Sequence, residues 1–410
     1  MAPLDISAVR SRFPALSRAE GGRPVAYLDG PGGTQVPAGV IEAMAGRLRV
    51  GTSNIGGAFG ASREADAVVA AAREAMADIL GGRPEEIVFG QNMTSLTFAA
   101  SRALARSWGP GDEVVVTRLD HDANVTPWRL AAADRGAAVR VVGFDPADGT
   151  LDLTHLERVL GPRTRLLAVT AASNALGTVP PVRQAADLAH AAGARVYVDA
   201  VHYAPHRLAD VAALGADFLA CSAYKFFGPH TGVLWGRAAL LESLEAYKVI
   251  PAPDSGPGKW ETGTQSFESL AGVAAAVDYL ASLGAGDNRR ESLVAAYGSI
   301  GEHETALASR FMAGVAGLPR VRLYGLADLA RLDERTPTFA LEVAGMAPDE
   351  ASRRLGDQGI HTWSGDYYAV GVMERLGVAS QGGLLRIGFV HYNTVEEVDR
   401  VLEALANLRG

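Results

Sequence analysis

Val196-Tyr-Val-Asp-Ala-Val-His202 and, a short way on, Ser222-Ala-Tyr-Lys-Phe-Phe-Gly-Pro229 decide how this 410-residue chain is read. Asp199 closes an apolar run, and Lys225 sits in the loop beyond the next such run, 217–221. The same pattern spreads outward from these two. Residues 87–89, 113–117, 138–143, 165–170, 195–199, 217–221 and 232–235 are short and apolar. Between them lie Ala-rich stretches such as 65–80 and 182–192, whose apolar residues recur at three and four positions. This alternation predicts an α/β fold, a mostly parallel seven-stranded sheet with helices on both faces. Parallel strands would bring Asp199 and Lys225 to one carboxyl edge, where open α/β sheets bind ligands. From about residue 290 the pattern changes to a long helix to 316, strand-like runs 321–324 and 338–343, and a last helix 395–408. The expected division is an N-terminal segment 1–20 packing on the small domain, a large domain 21–289, and a smaller α+β C-terminal domain 290–410. Asn393 and Thr394, ahead of Glu396 and Glu397, read as the cap of the last helix. The Pro/Gly-rich stretch 251–258 reads as a mobile or interface loop.

Composition narrows the function classes. Apolar residues are 48% and charged residues 20%, the balance of a globular protein. Thirty-eight Lys and Arg against 46 Asp and Glu give a net charge of −8, so no basic field favours nucleic acid. The uncharged run 166–182 contains Asn174, Gly177, Pro180 and Pro181, which argues against a bilayer-spanning helix, and no membrane anchor is expected. Asp5, Arg10 and Arg12 interrupt the N-terminus where a secretory signal needs an apolar core. Cys221 is the single cysteine, so no internal disulfide forms, and the expected compartment is the cytoplasm.

An amine and a carboxylate at one crevice suit pyridoxal phosphate: lysine forms the Schiff base, and the carboxylate keeps the pyridine nitrogen protonated. Taken alone, the same pair is a strand-end Asp capping a turn and a surface Lys. The surroundings add weight. Tyr27-Leu-Asp-Gly30, Asp120-His-Asp-Ala-Asn-Val-Thr-Pro-Trp128, Ser173-Asn-Ala-Leu-Gly-Thr178, the Asp199 and Lys225 segments, Glu261-Thr-Gly-Thr264, and Arg386 before Tyr392-Asn-Thr394 occur in this order. Together they resemble the class V family of pyridoxal-phosphate enzymes and, within it, the cysteine desulfurase-like branch.

The resemblance implies fold type I and a homodimer with sites at the subunit boundary, with pyridoxal 5'-phosphate as cofactor and no metal. His121 would stack on the cofactor ring and assist proton transfer; as a bare sequence feature it is also a loop histidine. Asn174 is implied at the phenolic oxygen, or else forms a turn before Gly177. Asn92-Met-Thr-Ser95 follows one strand and opens a helix, so Thr94 and the Met93 N–H are candidates for the phosphate, or simple capping groups. Ser222 would add a hydroxyl, and Thr264 would reach the phosphate from the partner subunit. Arg386 would bind the substrate α-carboxylate, or form a structural ion pair. The family commonly has Gln where this chain has His202 and His where it has Tyr224. His202 could still bond the phenolic oxygen, and Tyr224 could bond phosphate or only pack.

A desulfurase needs a thiolate shortly before the carboxylate-binding arginine, and residues 360–385 contain none. They hold instead His361, Trp363, Tyr367 and Tyr368, candidates for shaping the substrate or for core packing. Cys221 reads as a small buried hydrophobe. The expected activity is a cysteine desulfurase-like lyase on a cysteine-type or other β-substituted small amino acid. The alternatives are a class V aminotransferase, epimerase or cyclase, and a scaffold that binds the cofactor without activity.

Overall fold

The computed structural model describes residues 3–408. Seven strands form the main sheet: β1 (Ile87–Gly90), β2 (Glu113–Thr117), β3 (Ala138–Val142), β4 (Thr164–Thr170), β5 (Arg195–Asp199), β6 (Phe218–Ser222) and β7 (Gly232–Gly236). Their spatial order is β1-β7-β6-β5-β4-β2-β3. All the pairings are parallel except those of β7, which runs antiparallel to both neighbours. Because β7 reverses, the carboxyl ends of β1, β2, β4, β5 and β6 share one edge.

Strand periodicity explains the two-sided core. In β2, Val115 packs on one face while Val114 and Val116 pack on the other. In β5, Val196 and Val198 face one core and Tyr197 the opposite one. Buried on both sides, these strands read as continuous apolar runs, as covered parallel sheets do. Helix α1 (Gly60–Leu80) packs Ala72, Ala75, Met76 and Ile79 into the first core, ending in a left-handed Gly81 with φ 68°. Helix α2 (Met93–Leu104) packs Leu96, Ala100 and Leu104 into the second.

A second sheet holds β8 (Val321–Tyr324), β9 (Thr338–Val343), β10 (Trp363–Gly365) and β11 (Leu384–Gly388), antiparallel throughout in the order β8-β9-β11-β10. The long helix α3 (Arg289–Ala316) and the last helix α4 (Val395–Asn407) cover it, and Leu307, Phe311, Val398 and Val401 form a third core with Phe339 and Ile387. Thr394 caps α4 in a reciprocal box with Glu397. Asn393 does not cap; its buried side chain instead ties Val390, Tyr27 and Glu397 together. Two features escape strand periodicity. Ala26–Tyr27 pairs in parallel with Ile360–His361, joining residues far apart in sequence. Near the N-terminus, Arg10 bonds Glu397 and the Tyr392 carbonyl, while Phe13 packs edge-on against Phe227, Tyr279 and Tyr392.

Candidate functional site

A cavity of about 420 Å³ opens at the carboxyl edge of the main sheet and is closed from the far side by β10, β11 and the loop between β10 and residue 370. Each nearby strand delivers at least one side chain to it. β1 leads to Met93 and Thr94, β2 to His121, β4 to Asn174, β5 to Asp199 and His202, and β6 to Ser222, Tyr224 and Lys225. The second sheet supplies Trp363 and Arg386, and the loop after β10 supplies Tyr367.

Asp199 is buried, and its Oδ1 accepts the Val201 N–H at 2.9 Å. Burial pushes its carboxyl up to about 6, against the N–H of Val201 and the charge of Lys225. The Lys225 amine donates to the Pro31 carbonyl and lies 4.9 Å from the Tyr224 ring. Burial, followed by the nearby Arg386 guanidinium, lowers the amine to about 7. A large share of Lys225 is therefore an uncharged nucleophile at neutral pH. In the cofactor-free protein, amine-directed labelling of Lys225 followed by peptide mass spectrometry is expected to rise with pH around a midpoint near 7. A midpoint near the ordinary lysine value would contradict this electrostatic account.

His121 accepts the Ala123 N–H on Nδ1 at 3.0 Å, so its neutral ring carries the proton on Nε2. Burial, Lys225 and Arg386 depress it to about 4, keeping it neutral. The ring stacks on Tyr368 with centroids 5.4 Å apart. Beneath it, buried Asp120 accepts from Thr117 at 2.5 Å and Asn124 at 2.7 Å, and Trp128 donates to Asn124 at 3.0 Å. This network fixes the turn that presents His121.

Arg386 projects from β11, its guanidinium 4.3 Å from the Tyr367 ring and its Nη1 donating to the Asn174 carbonyl at 3.0 Å. Asn174 Nδ2 donates in turn to the Tyr367 carbonyl at 2.9 Å. Tyr367 and Tyr368 adopt left-handed φ values of 54° and 57°. Such conformations cost about 1–3 kcal/mol per residue and persist only where surroundings over-determine them. Here the Asn174 amide, the Asp122 N–H on the Tyr368 carbonyl, the Tyr367 hydroxyl on the Leu384 carbonyl and Asp366 on the Tyr368 N–H supply those restraints.

At the start of α2, Met93 N–H donates to Ser222 Oγ at 3.1 Å, and Asn92 caps the helix through Ser95 N–H. Thr94 is exposed beside them. Tyr224 stacks on His230 at 4.7 Å, and its carbonyl accepts from both the N–H and the hydroxyl of Thr34. That contact holds the Pro31–Gly33 turn against the lysine loop. Gly32 has no room for a Cβ, which would collide with the Trp363 indole.

Two candidates lie outside the cavity lining. His361 was expected beside the substrate, but its Nε2 is 3.2 Å from Glu20 and its ring packs edge-on against Tyr27. The pairing of Ile360–His361 with Ala26–Tyr27 sets that direction. Thr264 is exposed on the loop before residue 267, a loop anchored by Glu261 to Arg73 and the Phe89 N–H. Sequence reasoning did not name Pro31, Gly32, Thr170 or Asp366, all of which line the cavity. The Gly-rich run after Gly30 was the available signal for the first two.

The donor set fits pyridoxal phosphate on observations internal to the chain. Asn174 Oδ1, His202 Nδ1 and Arg386 Nε are buried without partners, which is costly unless a bound group satisfies them. The helix start at Met93 beside Ser222 and Thr94 suits a phosphate.

The chain is also similar to known proteins. The family model described as "Aminotransferase class-V" matches residues 26–401. The "Cysteine desulfurase" of Serratia proteamaculans is 32% identical over 98% of this chain and 98% of its own length. "Probable cysteine desulfurase 1" of Mycobacterium leprae is 34% identical over 96% of this chain, which spans only 64% of that relative's length. The apo structure of a cysteine desulfurase from Thermococcus onnurineus NA1 superposes with a TM-score of 0.88 and 27% identity, covering 99% of this chain and 98% of its own.

Proposed function

The chain belongs to the class V aminotransferase family, and from that premise we propose a pyridoxal-phosphate-dependent, cysteine desulfurase-like lyase. It removes a β-substituent from a small amino acid without carrying a persulfide on its own thiol. The observation that carries this reading is the meeting of Lys225, Asp199 and Arg386 in one cavity while Cys221 is fully buried elsewhere.

When bound, the cofactor supplies an electron-accepting ring that stabilises negative charge at the substrate Cα. Asp199 would hold the ring nitrogen, His121 the ring face, and Asn174 and His202 the phenolic oxygen. The Met93 N–H, Thr94 and Ser222 would hold the phosphate. Arg386 offers a planar fork to the substrate α-carboxylate, and Tyr367 keeps that fork oriented by stacking. Lys225, partly uncharged at neutral pH, can take a proton from Cα and return it. His121 presents Nε2–H as a donor to a departing group. Trp363 stands at the mouth of the cavity, half exposed, where it can limit the size of the side chain admitted. The reading extends to a cytoplasmic homodimer in which Thr264 of one subunit completes the phosphate site of the other. No helix among the described residues is long and apolar enough to cross a membrane.

Cys221 lies in β6 opposite Val233, on the sheet face that packs Leu219 and Val198. Burial raises its thiol far above the usual range, which disfavours the thiolate a persulfide relay requires. Cys221→Ala is therefore expected to keep turnover within about twofold and to cost about 1 kcal/mol of stability. Inactivation of a well-folded variant would revive the relay.

The deciding experiment mixes cofactor-loaded protein with a panel of amino acids and assays sulfide, pyruvate and other keto acids. Keto acid without any amino acceptor supports the lyase, and strict dependence on an acceptor overturns it in favour of transamination.

A further inference from the structure

The lining of the main cavity changes character from floor to rim. At the floor stand Arg386 and Asp199, 5% and 4% exposed. The rim is built by β10 and the residues just after it: Trp363 is 52% exposed and Tyr368 70%, and Asp366, between them in sequence, is exposed as well. Asp199 is assigned above to the cofactor ring and Arg386 to the substrate carboxylate, which leaves Asp366 as the acid of this lining with no assigned role. Its Oδ1 accepts the Tyr368 N–H at 2.9 Å. Among the described residues no cation pairs with it, and Arg118, ahead of His121, is spent on Glu374.

The two rings of the rim are held in place. Tyr368 is fixed at φ 57° by its N–H on Asp366 and by the Asp122 N–H on its carbonyl at 2.7 Å, and one face of its ring stacks on His121 with planes 20° apart. Such strain, spent on keeping a ring exposed where it gains no burial, collects at binding sites. Trp363 lies directly opposite Arg386 in the antiparallel pair of β10 and β11, so both side chains leave the same face of the second sheet. A β-substituted amino acid gripped at its carboxylate by Arg386 therefore has Trp363 as a neighbour. Ring faces attract a cation through their quadrupole, and a carboxylate attracts it through charge. A neutral chain gains from the rings alone, and an anion is repelled by Asp366.

We propose that Trp363, Asp366 and Tyr368 form a subsite for a cationic group at the far end of the substrate's β-substituent. The substrate class is then an amino acid whose β-substituent ends in an ammonium or guanidinium group. This rests on the lyase reading above and narrows its substrate. The cavity then carries opposite charge at its two ends, a cation below for the carboxylate and an acid with two rings above for the tail. Specificity follows from that polarity, because a tail of the wrong charge places an anion against Asp366.

The test uses three cysteine thioethers of matched length: S-(2-aminoethyl)-, S-propyl- and S-(carboxymethyl)-cysteine. Full-length protein loaded with pyridoxal phosphate is titrated with each, and the half-saturating concentration is read from the change in cofactor absorbance, with keto acid release assayed in parallel. The aminoethyl compound is expected to saturate at a concentration about tenfold below the propyl compound, and the carboxymethyl compound at the highest. Asp366→Asn keeps the acceptor for the Tyr368 N–H but removes the charge, and should cut the tenfold preference to about threefold. If that variant does not fold by circular dichroism, Tyr368→Asn removes one ring with a residue type that tolerates the left-handed backbone, and the same fall is expected. Equal half-saturation by the aminoethyl and propyl compounds, or a preference unchanged in the folded variant, overturns the subsite. Keto acid released alike from all three would do so while leaving the lyase reading in place. A cation preference in the absorbance titration without keto acid would remove the lyase reading and keep the subsite, and no response to any of the three overturns both.

Discussion

Lys225→Ala is expected to lower turnover by at least about 10⁴-fold, because one side chain supplies both covalent attachment and the proton-transferring base. The amine is placed for that work by a donor bond to the Pro31 carbonyl and by the Tyr224 ring beneath it. It is tuned by burial and Arg386 to about 7, close to the operating pH of a base. The fold should survive. A buried amine is costly to desolvate, so its removal is expected to change the stability of the cofactor-free protein by only about 1 kcal/mol. Two measurements check this: amino-acid-dependent product formation and the visible absorbance of bound pyridoxal phosphate after dialysis. The variant should lose the dialysis-resistant absorbance along with turnover. Turnover above about 1% of the original, with absorbance retained, would show that the amine is not the attachment point.

Arg386→Ala is the second large effect, and it should fall mainly on substrate binding. A guanidinium fork on a carboxylate makes two charge-assisted hydrogen bonds at a buried guanidinium, together about 3–4 kcal/mol. KM for the amino acid is therefore expected to rise about 10²- to 10³-fold. The chain's own contacts sharpen the expectation. Arg386 uses Nη1 on the Asn174 carbonyl and leaves Nε unpartnered, so its remaining donors face the cavity without competition from an internal acid. Among the described residues no carboxylate forms a salt bridge with it, which separates it from Arg73 and Arg289 with their acidic partners. Cofactor absorbance should persist, since no phosphate or ring contact is assigned to this side chain. Removing the cation should also shift the Lys225 labelling midpoint upward, because Arg386 is one of the two causes of its depression. Loss of cofactor with unchanged KM would mean that Arg386 serves the cofactor and not the substrate.

These expectations depend on a site whose parts differ in how visible they were beforehand. Asp199 and Lys225 could be read from strand logic, because each follows an apolar run and parallel strands must share an edge. His121, Asn174, Met93 and Ser222 follow the same rule, and the structure brings them together at that edge. His361 shows where the rule fails. It lies next to the cavity in sequence, but a parallel pairing with Ala26–Tyr27 turns its ring toward Glu20.

The sequence by itself determined the sheet, the strand ends that carry chemistry, and the absence of a thiol in the arginine-proximal loop. These are local properties, set by side-chain period along one strand or by the presence of a residue type. Only the tertiary structure decided the partners of His202, the burial that tunes Lys225 and His121, and the left-handed turn at Tyr367 and Tyr368. Each of these depends on groups distant in sequence: Thr336 and Thr338 against His202, Arg386 against Lys225, Asn174 against Tyr367. Desolvation and hydrogen-bond partnership are properties of an enclosed volume, and a linear chain has none until two sheets close over it.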